Sequence, residues 1–333
     1  MSMRDLAKLC GVSPSTVSIV LNNKKGVSEE TRRRVLIESE RHGYSLPKRK
    51  ISTKKNVLLL KFYKTGMFVE ENQGFITMII NAIEDQLRRE NYGMTTYAAN
   101  QDLKQALASV DYSEYCGVII IATEMLGEDY ALLREIPISF VVVDNTVPGH
   151  KYTSVCMNNR ENVWYALNYC KDSGHLNLGY LGSKAPAENF NERYAAFKEF
   201  TGALDIEFTK EHEFRVTPTL VGAHNDFGEI LKDAPSLPSC FFAENDTIAL
   251  GVMKALQEAG YRIPNDVSII GFDDIPYASV SLPALTTIHV QRDVIGRLAV
   301  FHLLSVMSNT QFSPVKTVVT GDLQIRDSVK RID

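Results

Sequence analysis

"SPSTVSIVLNN", Ser13–Asn23, puts two unlike faces on one helical period. At 100° per residue, Val17, Val20 and Leu21 gather on one side, while Ser15, Ser18, Ile19 and Asn22 gather almost opposite. The first set is a core stripe. Ser13 can cap the first turn, and Pro14 stands where a missing N–H costs nothing, so the start of the helix is well signalled. A merely solvated second face would favour Glu, Lys and Gln, which have better helix propensity than Ser or Asn. A face of short hydroxyls, one amide and one Ile instead suits contact with a polar surface that also carries apolar groups.

The flanking sequence makes this helix the middle one of three. "MSMRDLAKLC" predicts a short helix with Leu6, Ala7 and Cys10 on one side and Gly11 as its stop. The tight turn "GVS" then joins two helices in the manner of a helix-turn-helix. A third helix starts at Ser28, whose side chain can cap "EETRRRVLIESERH", and stops at Gly43. "SLPKRKISTKKN" follows, without apolar periodicity, and reads as a basic linker. Residues 1–56 hold thirteen basic and five acidic side chains, a net charge of +8, which leaves −12 on the rest of the chain. A basic head on an acidic body predicts that the head meets a polyanion and the body does not.

From Val57 onward, apolar β-branched runs such as "GVIIIAT", "ISFVVVDN" and "VSIIGFDD" alternate with amphipathic helices such as "FITMIINAIEDQLRREN" and "TIALGVMKALQEAG". This is the rhythm of βαβ units. The remaining residues are too many for one such sheet, so two doubly wound lobes with a ligand cleft at their strand ends are expected. No apolar run is long enough for a membrane span, and the charged N-terminus does not suit a signal peptide, which predicts a cytoplasmic protein. The five cysteines are scattered, with no C-x-x-C pair or His at a metal-ligand spacing, and read as buried free thiols. No G-x-G-x-x-G, Walker or G-x-S-x-G pattern is present, so the expectation is a non-enzyme that needs neither metal nor cofactor.

The run "LAKLCGVSPSTVSIVLNNKKGVSEETRRRVLIESERHGY" resembles the DNA-binding head of the LacI/GalR family of bacterial transcription regulators. Independently, "GHLNLGYLGS", "ERYAAF", "ENDTIALGVMKALQEAGYRIPNDVSIIGFDD" and "PALTTI" resemble the effector-binding domain of that family. The resemblance implies an all-α three-helix head over residues 1–45, a linker over 46–56, and an α/β bilobed periplasmic-binding-protein-like domain over 57–333. Its N-lobe would take about 57–157 and 289–316, and its C-lobe about 158–288 and 317–333. The function implied is a repressor, a cytoplasmic homodimer on a near-palindromic double-stranded operator, with DNA affinity set by a small molecule in the cleft. That effector is expected to be a carbohydrate, with a purine or nucleoside as the alternative. A transport-type binding protein would share the bilobed fold but not the basic head.

By the same resemblance, Ser15, Ser18 and Ile19 would face bases, and Asn22, Ser28, Arg32 and Tyr44 would hold phosphates. Hydroxyl and amide groups suit base edges and phosphates, and an Ile suits a thymine methyl. The family usually has Arg at the position of Ile19, so a bidentate guanine contact is missing here. Within Arg32-Arg33-Arg34 only Arg32 is assigned a contact, because successive side chains diverge by 100°. In the body, Asp144, Arg193, Asn245 and Asp273 are expected in the cleft, a donor and acceptor set suited to sugar hydroxyls. Phe75 fits either a ring that stacks on a sugar or a core side chain. Asp246 and Asp274 are expected to be structural, and Trp164 to serve packing. The linker departs from the family, which usually has about one more helical turn there with a wedging Leu. Here Pro47 disfavours helix at Leu46, and no hinge helix is expected.

Overall fold

A computed structural model describes residues 3–21, 26–42, 55–69, 74–100, 102–309 and 312–332. The expected roles of Asn22 and Tyr44, and the reading of the linker through residue 54, lie outside the described residues. The chain divides into two compact units, Met1–Thr53 and Lys54–Asp333.

The first unit contains α1 (Met3–Leu9), α2 (Pro14–Leu21) and α3 (Glu29–Arg41). Its core is small: Leu6, Ala7, Cys10, Val17, Val20 and Val35 are buried together. Gly11 turns the chain between α1 and α2 at a φ of 62°, where a side chain would be strained. The hydroxyl of Ser13 accepts the Thr16 N–H at 3.1 Å, and that of Ser28 accepts the Thr31 N–H at 3.3 Å, so both serines cap their helices.

In the second unit the chain runs β1 (Asn56–Tyr63), α4 (Phe75–Arg89), β2 (Gly93–Asn100), α5 (Leu103–Ser109), β3 (Gly117–Ile121), α6 (Gly127–Leu132), β4 (Phe140–Val143) and β5 (Ser154–Met157). It then forms α7 (Asn159–Asp172), β6 (Leu178–Ser183), α8 (Glu188–Ala203), β7 (Glu213–Val216), α9 (Leu220–Leu231), β8 (Cys240–Ala243), α10 (Asp246–Glu258), β9 (Ser268–Ile270) and α11 (Pro276–Val280). β10 (Thr287–His289), α12 (Arg292–Ser308), β11 (Lys316–Val319) and β12 (Asp322–Gln324) complete it.

Two parallel sheets result, ordered β11-β5-β4-β3-β1-β2 and β7-β6-β8-β9, and β10 pairs antiparallel with β12 in a separate two-stranded sheet. The central strands are apolar because both faces are covered by helices; every residue of β3 is buried. Strand β11 lies in the first sheet, paired with β5 from Lys316 to Val319. The first sheet thus extends to Val319, close to the approximate boundary at 316 that the resemblance implied.

Each lobe uses one close helix pair. On α12, a Cβ added at Gly296 would come within 2.7 Å of the Ala82 Cβ on α4 and 2.8 Å of the Ile79 carbonyl. Gly251 of α10 stands in the same relation to Ala223 and Leu220 of α9, at 2.7 Å from each. In both lobes the missing side chain lets two backbones approach. Cys10, Cys156, Cys170 and Cys240 are buried free thiols, while Cys116 is only half-buried, beside the start of β1.

Candidate functional site

In both sheets the strand order reverses beside the first strand of the lobe, between β1 and β3 and between β6 and β8. Ligands bind open α/β sheets beyond the carboxyl ends of strands at such points. Asp144 follows β4, Asn245 follows β8 and Asp273 follows β9, while Arg193 lies on α8 after β6. These four and Phe75 line one cavity, so the structure brings together all five expected cleft residues. The space it leaves for the centre of a water-sized sphere is about 20 Å³, enough for about one water.

Arg193 is the centre of this cavity, with 2% of its surface exposed. Its Nε donates to Asn159 Oδ1 at 2.9 Å, Nη1 to the Glu244 carbonyl at 2.5 Å, and Nη2 to Asp273 Oδ1 at 3.4 Å. Its guanidinium carbon lies 3.6 Å from the centre of the Phe272 ring, so the cation is held by stacking as well as by acceptors. Asp144 accepts the Thr123 hydroxyl at 2.6 Å and the Asn189 amide at 3.1 Å. Asn245 caps α10, its side-chain oxygen accepting the Ile248 N–H at 2.9 Å. The oxygen is thus committed to the helix, and the amide group is what Asn245 can offer a ligand. Asp246 and Asp274 are tied down elsewhere: Asp246 accepts from Thr287 and the Ile275 N–H, and Asp274 from His289 and Arg326. Trp164 packs edge to face on Phe200, with ring centres 4.9 Å apart.

Several cavity residues carried no readable signal in the sequence. Phe68, in the loop after β1, meets Phe190 of α8 edge to face across the cleft, with ring centres 5.1 Å apart. The loop is pinned by Glu124, whose buried carboxylate accepts the N–H groups of Lys64, Thr65, Gly66 and Phe68. Thr123 and Asn189 fix Asp144. Thr123 ends the quoted run "GVIIIAT", and Asn189 and Phe190 lie just ahead of "ERYAAF", but neither pattern marks them as cavity residues.

Burial pushes the Asp144 carboxyl up to about 7, against the lowering effect of Thr123 and Arg193; the negative Asp273 adds to the rise. Burial likewise pushes Glu244 up to about 7. A folded-state value above the unfolded one means that the native protein holds protons the unfolded chain has released. The stability this contributes is full below the ordinary carboxylate range and is lost as pH rises through about 7. Thermal melts should therefore show a midpoint that falls between about pH 5 and 8. The fall should be shallower in Asp144→Asn, and an identical pH profile would contradict the burial argument.

In the head, Val17 and Val20 are buried, whereas Ser15 is exposed and Ser18 and Ile19 are half-buried on the other side of α2. Ser28 is exposed at the start of α3. The Arg32 side chain is 17% exposed, with Nε 3.9 Å from Glu29, while Arg33 and Arg34 are exposed. Among the described residues no cluster of His, Cys, Asp or Glu could hold a metal ion, and no helix is long and apolar enough to cross a membrane.

Comparison with known proteins matches both units. Residues 2–45 match the bacterial regulatory proteins of the lacI family, and residues 167–329 match the periplasmic binding protein-like domain. The HTH-type transcriptional repressor PurR of Mannheimia succiniciproducens is 27% identical over 340 residues, spanning 99% of each chain. The probable HTH-type transcriptional repressor ExuR of Bacillus subtilis is 26% identical over 338 residues, again spanning 99% of each. Among solved structures, a complex of the transcriptional regulator CelR with cellobiose has a TM-score of 0.72 at 22% identity, covering 98% of this chain and 99% of that one. A LacI family regulator from Enterococcus faecium with bound ribose has a TM-score of 0.69 at 22% identity, covering 83% of this chain and 100% of that one. With a LacI-type helix-turn-helix head followed by a periplasmic-binding-protein-like domain, the chain belongs to the LacI family and is a ligand-responsive, DNA-binding transcriptional regulator.

Proposed function

We propose that this regulator is a dimeric repressor whose hold on a near-palindromic operator is set by a neutral sugar bound between the lobes. The carrying observation is the charge balance of the cavity. Arg193 is the one cation among the described residues that line the cavity, and it already faces Asp273, while Asp144 adds a second carboxyl, so the lining carries no excess of positive charge for a phosphate or carboxylate ligand. Two carboxyl groups, a guanidinium and two amides can share hydroxyl hydrogen bonds, and the rings of Phe68, Phe75 and Phe190 offer apolar surface to the C–H face of a sugar. The CelR and E. faecium structures, with cellobiose and ribose, support this class. The three rings also favour a planar base, which keeps a purine or nucleoside as the second reading. A thermal-shift panel decides between them. A neutral sugar at about 100 times its dissociation constant should stabilise by about 2.7 kcal/mol, while sugar phosphates and uronates should have no effect. Stabilisation by nucleosides alone would replace the sugar reading.

In a two-fold dimer the α2 helices would enter successive major grooves. Ser15, Ser18 and Ile19 would read bases, and Asn22, Ser28, Arg32 and Tyr44 would hold phosphates. Ile19→Arg should then change the preferred operator base by about 1–3 kcal/mol. Arg32→Ala should weaken binding to all sequences alike and lower the salt slope by about one. Selection from random DNA and salt titrations test the pair: an unchanged consensus in Ile19→Arg would remove the base-reading assignment.

A further inference from the structure

Arg292, the first residue of α12, is a buried cation at the junction of the lobes, with 4% of its surface exposed. It comes three residues after the end of β10, and its helix packs on α4, β3, β4 and β5 of the first lobe. Its guanidinium nevertheless reaches the second lobe. Nη1 donates to the Asp273 carbonyl at 2.9 Å and Nη2 to the Asp274 carbonyl at 3.0 Å. On the first-lobe side, its guanidinium carbon lies 5.6 Å from the centre of the Phe75 ring, part of the cavity wall. Nε is buried with no partner among the described residues, so the side chain holds this pose at the expense of one unmade hydrogen bond.

The two gripped residues are strained. Asp273 has a φ of 115° and Asp274 a φ of 54°, conformations that side-chain-bearing residues keep only where their surroundings enforce them. The turn is fastened to the crossing segments as well. The Asp273 N–H donates to the Ile288 carbonyl of β10 at 2.9 Å, and the Asp274 carboxylate pairs with His289 at 2.8 Å and Arg326 at 2.6 Å.

We propose that Arg292 is a positioning residue that holds the Asp273–Asp274 turn, aims the Asp273 carboxylate at Arg193 and the cavity, and locks the turn to the segment on which the lobes move. The proposal rests on reading the cavity as the effector site. A ligand that engages Asp273 is then linked through two backbone carbonyls to the start of α12, and so to the first lobe.

The test needs no ligand and uses the full chain. In Arg292→Met, hydrogen exchange of the segment carrying Asp273 and Asp274 should speed up by about tenfold, while β1 and α8 stay within about twofold. The Asp144 carboxyl, followed by carbon NMR, should titrate below about 7, because the charge of Asp273 recedes and Arg193 is less neutralised. Arg292→Lys, whose ammonium can donate to both carbonyls, should restore most of both readouts. Unchanged exchange and an unchanged Asp144 midpoint in Arg292→Met would overturn the proposal. So would a uniform loss of protection across the second lobe that Lys does not rescue. Failure of the cavity reading would show separately, as a parent protein that neither neutral sugars such as ribose and cellobiose nor nucleosides stabilise; exchange alone decides whether Arg292 holds the turn.

Discussion

Replacing Arg193 with alanine is expected to cost the effector domain about 3–5 kcal/mol and to abolish the response to effector. The reason is what the guanidinium leaves behind. Asp273 loses its buried ion-pair partner, Asn159 and the Glu244 carbonyl lose a donor, and the Phe272 ring loses the cation stacked on it. A buried acceptor without a donor costs more than the net value of the bond it made. Arg193→Lys keeps a charge but cannot place three donors in a fixed fork, so it should recover only part of the loss. Denaturant unfolding followed by the single tryptophan, Trp164 on α7 of this domain, measures the cost. An Arg193→Ala midpoint equal to that of the parent would show that the network adds nothing to stability. The head should still bind operator wherever the domain remains folded.

The second large effect belongs to the head. Leu6 is fully buried in a core that, among the described residues, holds six buried side chains with Met3, Val12, Leu21 and Val27 packed around them, so Leu6→Ala should cost about 2–5 kcal/mol there. A unit this small has little stability to lose. Operator binding should collapse at the growth temperature while effector titrations stay those of the parent, since the body has a core of its own. Gel shifts and calorimetry on the full-length variant separate the two. Operator affinity within about threefold of the parent would mean that the head is held together by more than this core.

These expectations draw unequally on sequence and structure. The strands were legible because both faces of a parallel sheet are buried, which leaves unbroken runs such as "GVIII" and "FVVV". Asp144, Asn245 and Asp273 were legible through the family resemblance, helped by their places just beyond such runs. Phe68 was not. It lies in an aperiodic loop, and its burial is supplied by Phe190 from the other lobe, a pairing that no local pattern encodes. Glu124 and Arg292 were hidden in the same way, because their partners are backbone groups, and a carbonyl or N–H leaves no trace in residue identity. Asn245 was legible in position but not in the division of its amide, whose oxygen belongs to α10. Arg32 was chosen for DNA, yet its position beside Glu29 and its low exposure give it a packing role within the head too.

The near absence of free volume between the lobes has a kinetic meaning. On the proposed reading of this cavity as a sugar site, room for about one water cannot admit the ligand as the site stands, and the effector would meet only molecules whose lobes have parted. Its apparent affinity is the intrinsic affinity scaled by the population of that parted form; were the parted form about 1% of molecules, the apparent dissociation constant would be about 100-fold weaker. Association would be limited by how often the lobes part, and release by the same motion. Side chains such as Phe68 and Phe190, which touch each other across the gap, would then set both the concentration at which the regulator answers and how long it remembers the answer.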